Sequence, residues 1–139
     1  MSETYNPYSL AVTLLKENDL LESKLIETNV VENSKEAQEG VAELLKFLFL
    51  CANHNSILTP SLKIDVLWHE FILFSRSYMS FCHMHFSKYI HHQPSNSSSN
   101  EMHQYQSTIQ LYLQYFGSLN TKFWVTAGVC ENHCGSCEN

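Results

Sequence analysis

The sequence predicts an all-α fold: a compact single-domain bundle of about five or six helices, followed by an irregular C-terminal tail that carries cysteines. Three observations lead there. Apolar residues recur at spacings of three and four in one stretch after another. Helix-start signals, a Ser, Thr, Asn or Asp followed by proline or by an acidic residue three positions on, stand ahead of those stretches. The length of 139 residues and a hydrophobic content of 44% suit one domain with one core.

Asn6-Pro7 opens a first helix to about Glu17, with Tyr8, Ala11, Leu14 and Leu15 as its apolar side. Asp19 and Glu22 have capping-box spacing for a short second helix ending near Thr28. Asn33 and Glu36 repeat that signal before a longer helix, roughly 35 to 53, striped by Val41, Leu44, Leu45, Leu48 and Ala52. Phe47, Phe49 and Leu50 make it apolar on most sides, so it belongs at the centre. Cys51 and His54 at its end read as a packed cysteine and an exposed histidine.

Thr59-Pro60 starts a fourth helix that runs to about Phe74. Ser75 caps a fifth, whose buried face is Tyr78, Phe81, Cys82, His85 and Tyr89, and which exits at His91-His92-Gln93-Pro94 because proline disfavours helical geometry before it. Residues 95–100, all Ser and Asn, make a flexible surface loop. Ser98 and Glu101 form a capping box for the last helix, with Met102, Tyr105, Ile109, Tyr112 and Phe116 as its stripe and Gly117 as its stop. The segment 122–129 reads as an extended arm laying Phe123 and Trp124 across the bundle. Residues 1–129 are thus the helical domain, and residues 130–139 the Cys-rich tail.

The formal charge of −6, with only eight scattered Lys and Arg, argues against a nucleic-acid partner. No apolar run reaches the roughly 18 residues that span a bilayer, and the N-terminus lacks a basic region followed by an apolar core. The expectation is a cytoplasmic protein with no membrane contact; the protein partner is not legible. An odd count of five cysteines fits free thiols or metal ligands better than a disulfide framework.

The richest chemistry lies between Thr59 and Pro94. With about 100° per residue, Lys63 and Glu70 share a solvent stripe, and Asp65 and His69 point elsewhere, flanked by Trp68 and Ile72 and by Leu62 and Leu73. They are therefore expected to face the packed interior. At i and i+4 the carboxylate can accept from one imidazole nitrogen and leave the other free, as the second shell of a metal site does. The plain alternative is a satisfied polar pair that pins two helices together. Cys82 adds an inward thiol, and the proline exit can bring His91 or His92 back toward the pocket. His69, Cys82 and one of the paired histidines would make a mixed nitrogen and sulfur set of the kind zinc accepts, with Asp65, Trp68 and Tyr78 around it.

Cys130, Cys134 and Cys137 have C-x3-C-x2-C spacing, with His133 among them. Three thiolates and an imidazole suit zinc, with iron or an iron–sulfur cluster as the second choice. The alternative is a tail of free cysteines.

Pro60-Ser61, Asp65-x-x-Trp68-His69, Tyr78-x-x-Phe81-Cys82 and His91-His92-x-Pro94 resemble the glycine-rich domain-containing protein-like family of bacteria and plants. A weaker echo lies in Tyr115-Phe116-Gly117 and the terminal cysteines. The resemblance implies a compact helical domain in which Asp65, Trp68, His69, Cys82 and the histidine pair belong together, and it carries no activity. Its usual tail is rich in glycine and cysteine; this tail has only Gly128 and Gly135.

The expected function is a small helical protein with a His/Cys metal site for zinc or iron and no assignable reaction. The runner-up is a structural or protein-interaction module with a buried Asp–His–Cys core. A thiol-dependent enzyme comes third, because Cys82 lies mid-helix and no oxyanion feature accompanies it.

Overall fold

A computed structural model describes residues 4–92 and 98–125. Among these the chain forms six helices and no strand: α1 (Pro7–Glu17), α2 (Asp19–Glu27), α3 (Ser34–Asn53), α4 (Leu62–Leu73), α5 (Ser75–Phe86) and α6 (Ser98–Phe116). No helix is long and apolar enough to cross a membrane among the described residues.

α3 is the axis of the bundle, packed against α1, α2, α4 and α6. Its predicted stripe is buried at Val41, Leu44, Leu45 and Leu48, and Phe47 and Leu50 bury the neighbouring sides. Burying side chains of this size stabilises by about 1.5–3 kcal/mol each, which is why so apolar a helix takes the centre. Gly40 of α3 lies against α4: a Cβ there would lie 2.8 Å from Leu67 Cδ1 and 3.2 Å from Phe123 Cε1. The bare Cα of Gly40 therefore sets how near α4 and the Phe123 segment come to α3.

The helix starts follow tertiary partners as well as local rules. Asn6 and Asn33 cap as expected, accepting from Ser9 N at 3.1 Å and Glu36 N at 2.9 Å. The Asp19/Glu22 box is not formed: Asn18 occupies the cap position of α2, and no side chain caps there. The Asn18 side chain instead donates to Leu14 O and accepts from Ser77 Oγ at 2.6 Å, which ties the α1–α2 corner to α5.

At α4 the cap is Ser61 rather than Thr59. The buried Ser61 Oγ accepts from Ile64 N at 3.2 Å and donates to Phe123 O at 2.7 Å. Thr59 is engaged by α6, its N–H donating to Thr108 Oγ1 and its hydroxyl to Gln104 Oε1. α5 begins after Phe74, which makes no side-chain cap, and it stops at Phe86, well short of His91. Ser87 takes a left-handed conformation with φ 61°, so Tyr89 lies beyond the helix rather than on its face.

α6 includes residues 98–100, which the sequence reading had placed in the loop. Its Tyr105, Ile109 and Tyr112 are buried, Met102 is exposed, and Gly117 with φ 94° ends it as expected. The next segment turns at 121–123 and buries Phe123 and Trp124.

Trp124 leads to a feature no sequence signal announced. Glu43 of α3 is 4% exposed, and its Oε1 accepts from Tyr112 Oη at 2.5 Å and from Trp124 Nε1 at 3.0 Å. Its Oε2 accepts from Lys46 Nζ at 2.9 Å. The carboxylate is satisfied from three sides, as a buried charge must be. Burial and the bond to Glu43 together push the Tyr112 hydroxyl well above the ordinary tyrosine range.

Cys51 is half-buried, and desolvation pushes its thiol up to about 12. His54, expected to be exposed, is half-buried with its ring edge-on to Tyr115 and its Nε2 without a hydrogen-bond partner. Cys130, His133, Cys134 and Cys137 lie outside the described residues.

Candidate metal centre

Asp65 and His69 sit one turn apart on α4, and Ser87 sends the chain after α5 back across that turn. The returning residues 88–92 bring His92 to Asp65, where His92 Nε2 and Asp65 Oδ1 are 2.6 Å apart. The His69 and His92 rings stand edge to face at 4.5 Å between centroids. One ligand atom from each of Asp65, His69 and His92 lies within 4.8 Å of the others.

Two features of this group correct the sequence reading. The carboxylate of Asp65 bonds to His92, not to His69 on its own helix. The group also lies at the surface and not in the packed interior: Asp65 and His92 are half-buried and His69 is exposed. The segment after α5 meets this turn of α4 through His92, and His69 stays open to water.

A closed ring of contacts holds that segment. Trp68 Nε1 donates to Tyr78 Oη at 2.9 Å, and Tyr78 Oη donates to Ile90 O at 2.5 Å. Two residues on, the His92 ring packs against the Trp68 indole at 4.3 Å. Trp68 and Tyr78 are buried, and desolvation pushes the Tyr78 hydroxyl well above its ordinary range.

Cys82 is fully buried on α5 and is not in the Asp65–His69–His92 group. Its nearest polar partners are Tyr78 and the Ile90 backbone; burial pushes its thiol up, and these two hydrogen bonds oppose the rise. A thiol so placed stays protonated at neutral pH, which removes the support for a thiolate nucleophile. His91 is exposed, with its ring on Tyr89 at 4.7 Å. His85 packs on Phe81 at 4.4 Å. The structure thus brings together His69, His92 and Asp65 of the residues singled out, with Trp68 and Tyr78 behind them. Cys82 and His91 stand apart from that group.

One carboxylate oxygen and two imidazole nitrogens make a donor set for a borderline divalent ion such as zinc or iron(II). Three protein ligands leave at least one coordination position open. Among the described residues no thiolate belongs to this group.

Fold and geometry together define a small all-α protein with a two-histidine, one-carboxylate cluster on its surface. A model of the UCP032817-like family matches residues 12–120, and the chain belongs to that family. This corrects the assignment to the glycine-rich domain-containing protein-like family, which rested on short motifs covering about a third of the chain, whereas the match takes in all of α2 to α6. Asp65, His69 and His92 all fall within the matched stretch. No curated protein and no solved structure matches the chain.

Proposed function

We propose that the protein binds a divalent transition metal, zinc first, between Asp65, His69 and His92. The observation that supports this is the gathering of three ligand-type atoms, from two elements distant in sequence, within 4.8 Å of one another. A metal bonded to such ligands at about 2.0–2.2 Å holds them roughly 3–3.5 Å apart, so small side-chain rotations suffice to close on it. On binding, the ion would take the place of the hydrogen bond between His92 Nε2 and Asp65 Oδ1. Cys130, Cys134 and Cys137 are proposed as a second, softer ligand set.

The test is titration of tag-free, chelator-stripped protein with cobalt(II) and zinc. The expected result is saturable binding that falls at least tenfold in His69→Ala and in His92→Ala and persists in a variant with all three tail cysteines replaced by serine. Equal binding by the wild type and both histidine variants sinks the proposal. A second reading is favoured by the 2.6 Å bond itself, which satisfies Asp65 and His92 without any ion. In that reading the pair is a surface clamp and the wild type takes up no metal.

A further inference from the structure

We infer that Tyr78 is a positioning residue of this metal site, acting on His92 through the Ile90 carbonyl; the inference rests on the metal-binding reading above. His92 belongs to no helix. Its position comes from Ile90 O to Tyr78 Oη, the His92 ring on the Trp68 indole, and Nε2 to Asp65, beside the His69 ring contact and the Cys82 hydrogen bond to the Ile90 backbone.

The first two contacts meet at one atom. Tyr78 Oη accepts from the Trp68 indole N–H and donates to Ile90 O, so it fixes both the platform beneath the His92 ring and the backbone two residues before it. Tyr78 is itself rigid: its ring stands edge-on to Phe71 at 5.0 Å and to Tyr89 at 5.3 Å, and it is fully buried. The ring Trp68–Tyr78–Ile90–His92 therefore presents one imidazole at a set distance from Asp65 and His69, which sit on the rigid α4. Without the hydroxyl, Ile90 to His92 keep their sequence but lose their register on α4. A metal must then order the segment before it can bind, and affinity falls.

The experiment compares Tyr78→Phe with Tyr112→Phe. Both remove a buried tyrosine hydroxyl, but Tyr112 serves Glu43, away from the site. Cobalt(II) affinity is expected to fall by about 10–100-fold in Tyr78→Phe, with a changed visible absorption spectrum, and to stay at the wild-type value in Tyr112→Phe. In the metal-free Tyr78→Phe protein the His92 ring resonances are expected to move toward random-coil positions.

Wild-type affinity and spectrum in Tyr78→Phe, or an equal loss in both variants, overturn the inference. Should Tyr78→Phe not fold, reciprocity provides the same test in the wild type: zinc is expected to slow solvent exchange of the Trp68 indole N–H, and an unchanged rate overturns the inference. A wild type that binds no metal overturns the functional reading instead.

Discussion

Asp65 takes its hydrogen-bonding partner from 27 residues further along the chain, His92 Nε2 at 2.6 Å from its Oδ1, and not from His69 on the next turn of its own helix. The bond pins the segment that follows α5 onto α4. Asp65→Ala is expected to cost about 1 kcal/mol, because the pair is partly open to water. Urea denaturation of the metal-free protein measures it, and a loss above about 3 kcal/mol would mean the pair is more deeply buried than its exposure implies.

Glu43 stands in the opposite regime. Glu43→Leu leaves the Tyr112 hydroxyl and the Trp124 indole N–H without their acceptor and Lys46 without its anion. The expected loss is about 3 kcal/mol or more, against a smaller one for Glu43→Gln, whose amide oxygen still accepts. Denaturation midpoints of the two variants check the order; equal midpoints would refute it.

Gly40→Ala places a methyl 2.8 Å from Leu67 Cδ1 and 3.2 Å from Phe123 Cε1 and Val31 Cγ1. Crowding of this kind costs about 1–3 kcal/mol, against roughly 1 kcal/mol regained from the helix preference of alanine. A lowered thermal midpoint is expected, and an unchanged or raised one would show that Leu67 can swing aside.

Stability is expected to fall in alkali. Cys51 carries a thiol pushed up by burial to about 12 from its ordinary 9.0, so the folded state holds that proton more tightly than the unfolded chain. The associated stability is complete below about pH 9 and drains away as pH rises toward 12. Burial displaces Tyr78 and Tyr112 upward as well, and they add to the slope in the same sense. Urea midpoints at pH 8 and pH 10.5 test the slope, and Cys51→Ala is expected to flatten it.

The helices were legible because apolar residues at three and four spacing need no distant information. Val41, Leu44, Leu45 and Leu48 mark the buried face of α3 whatever covers it. The ends were less legible where tertiary partners chose them. Ser61 wins the α4 cap because its hydroxyl also meets Phe123 O, 62 residues away. Tyr89 continues the apolar rhythm of α5 in the sequence, yet Ser87 has already turned left-handed.

The same limit governs the site. Periodicity separates Asp65 and His69 from the Lys63–Glu70 stripe, but nothing local says that His69 stays exposed and that Asp65 is only half-buried. The sequence places Asp65 behind His69, whereas in the structure its oxygen lies beside the imidazole nitrogens of His69 and His92. The role of Glu43 is hidden in the sequence because Tyr112 and Trp124, its partners, are 69 and 81 residues distant. A lone acid between Ala42 and Leu44 in so apolar a helix was the only available hint.

Those separations bear on how the protein comes off the ribosome. When α1 to α4 have emerged, the central helix of the bundle still bears an acid whose partners Tyr112 and Trp124 have yet to be made, on the flank that α6 will occupy. Lys46 of the same helix reaches only Oε2, so water must stay with Oε1 until the last aromatic partner is synthesised. The nascent N-terminal half is therefore expected to remain loose and in need of shelter, and to lock only when residues 112 and 124 arrive together.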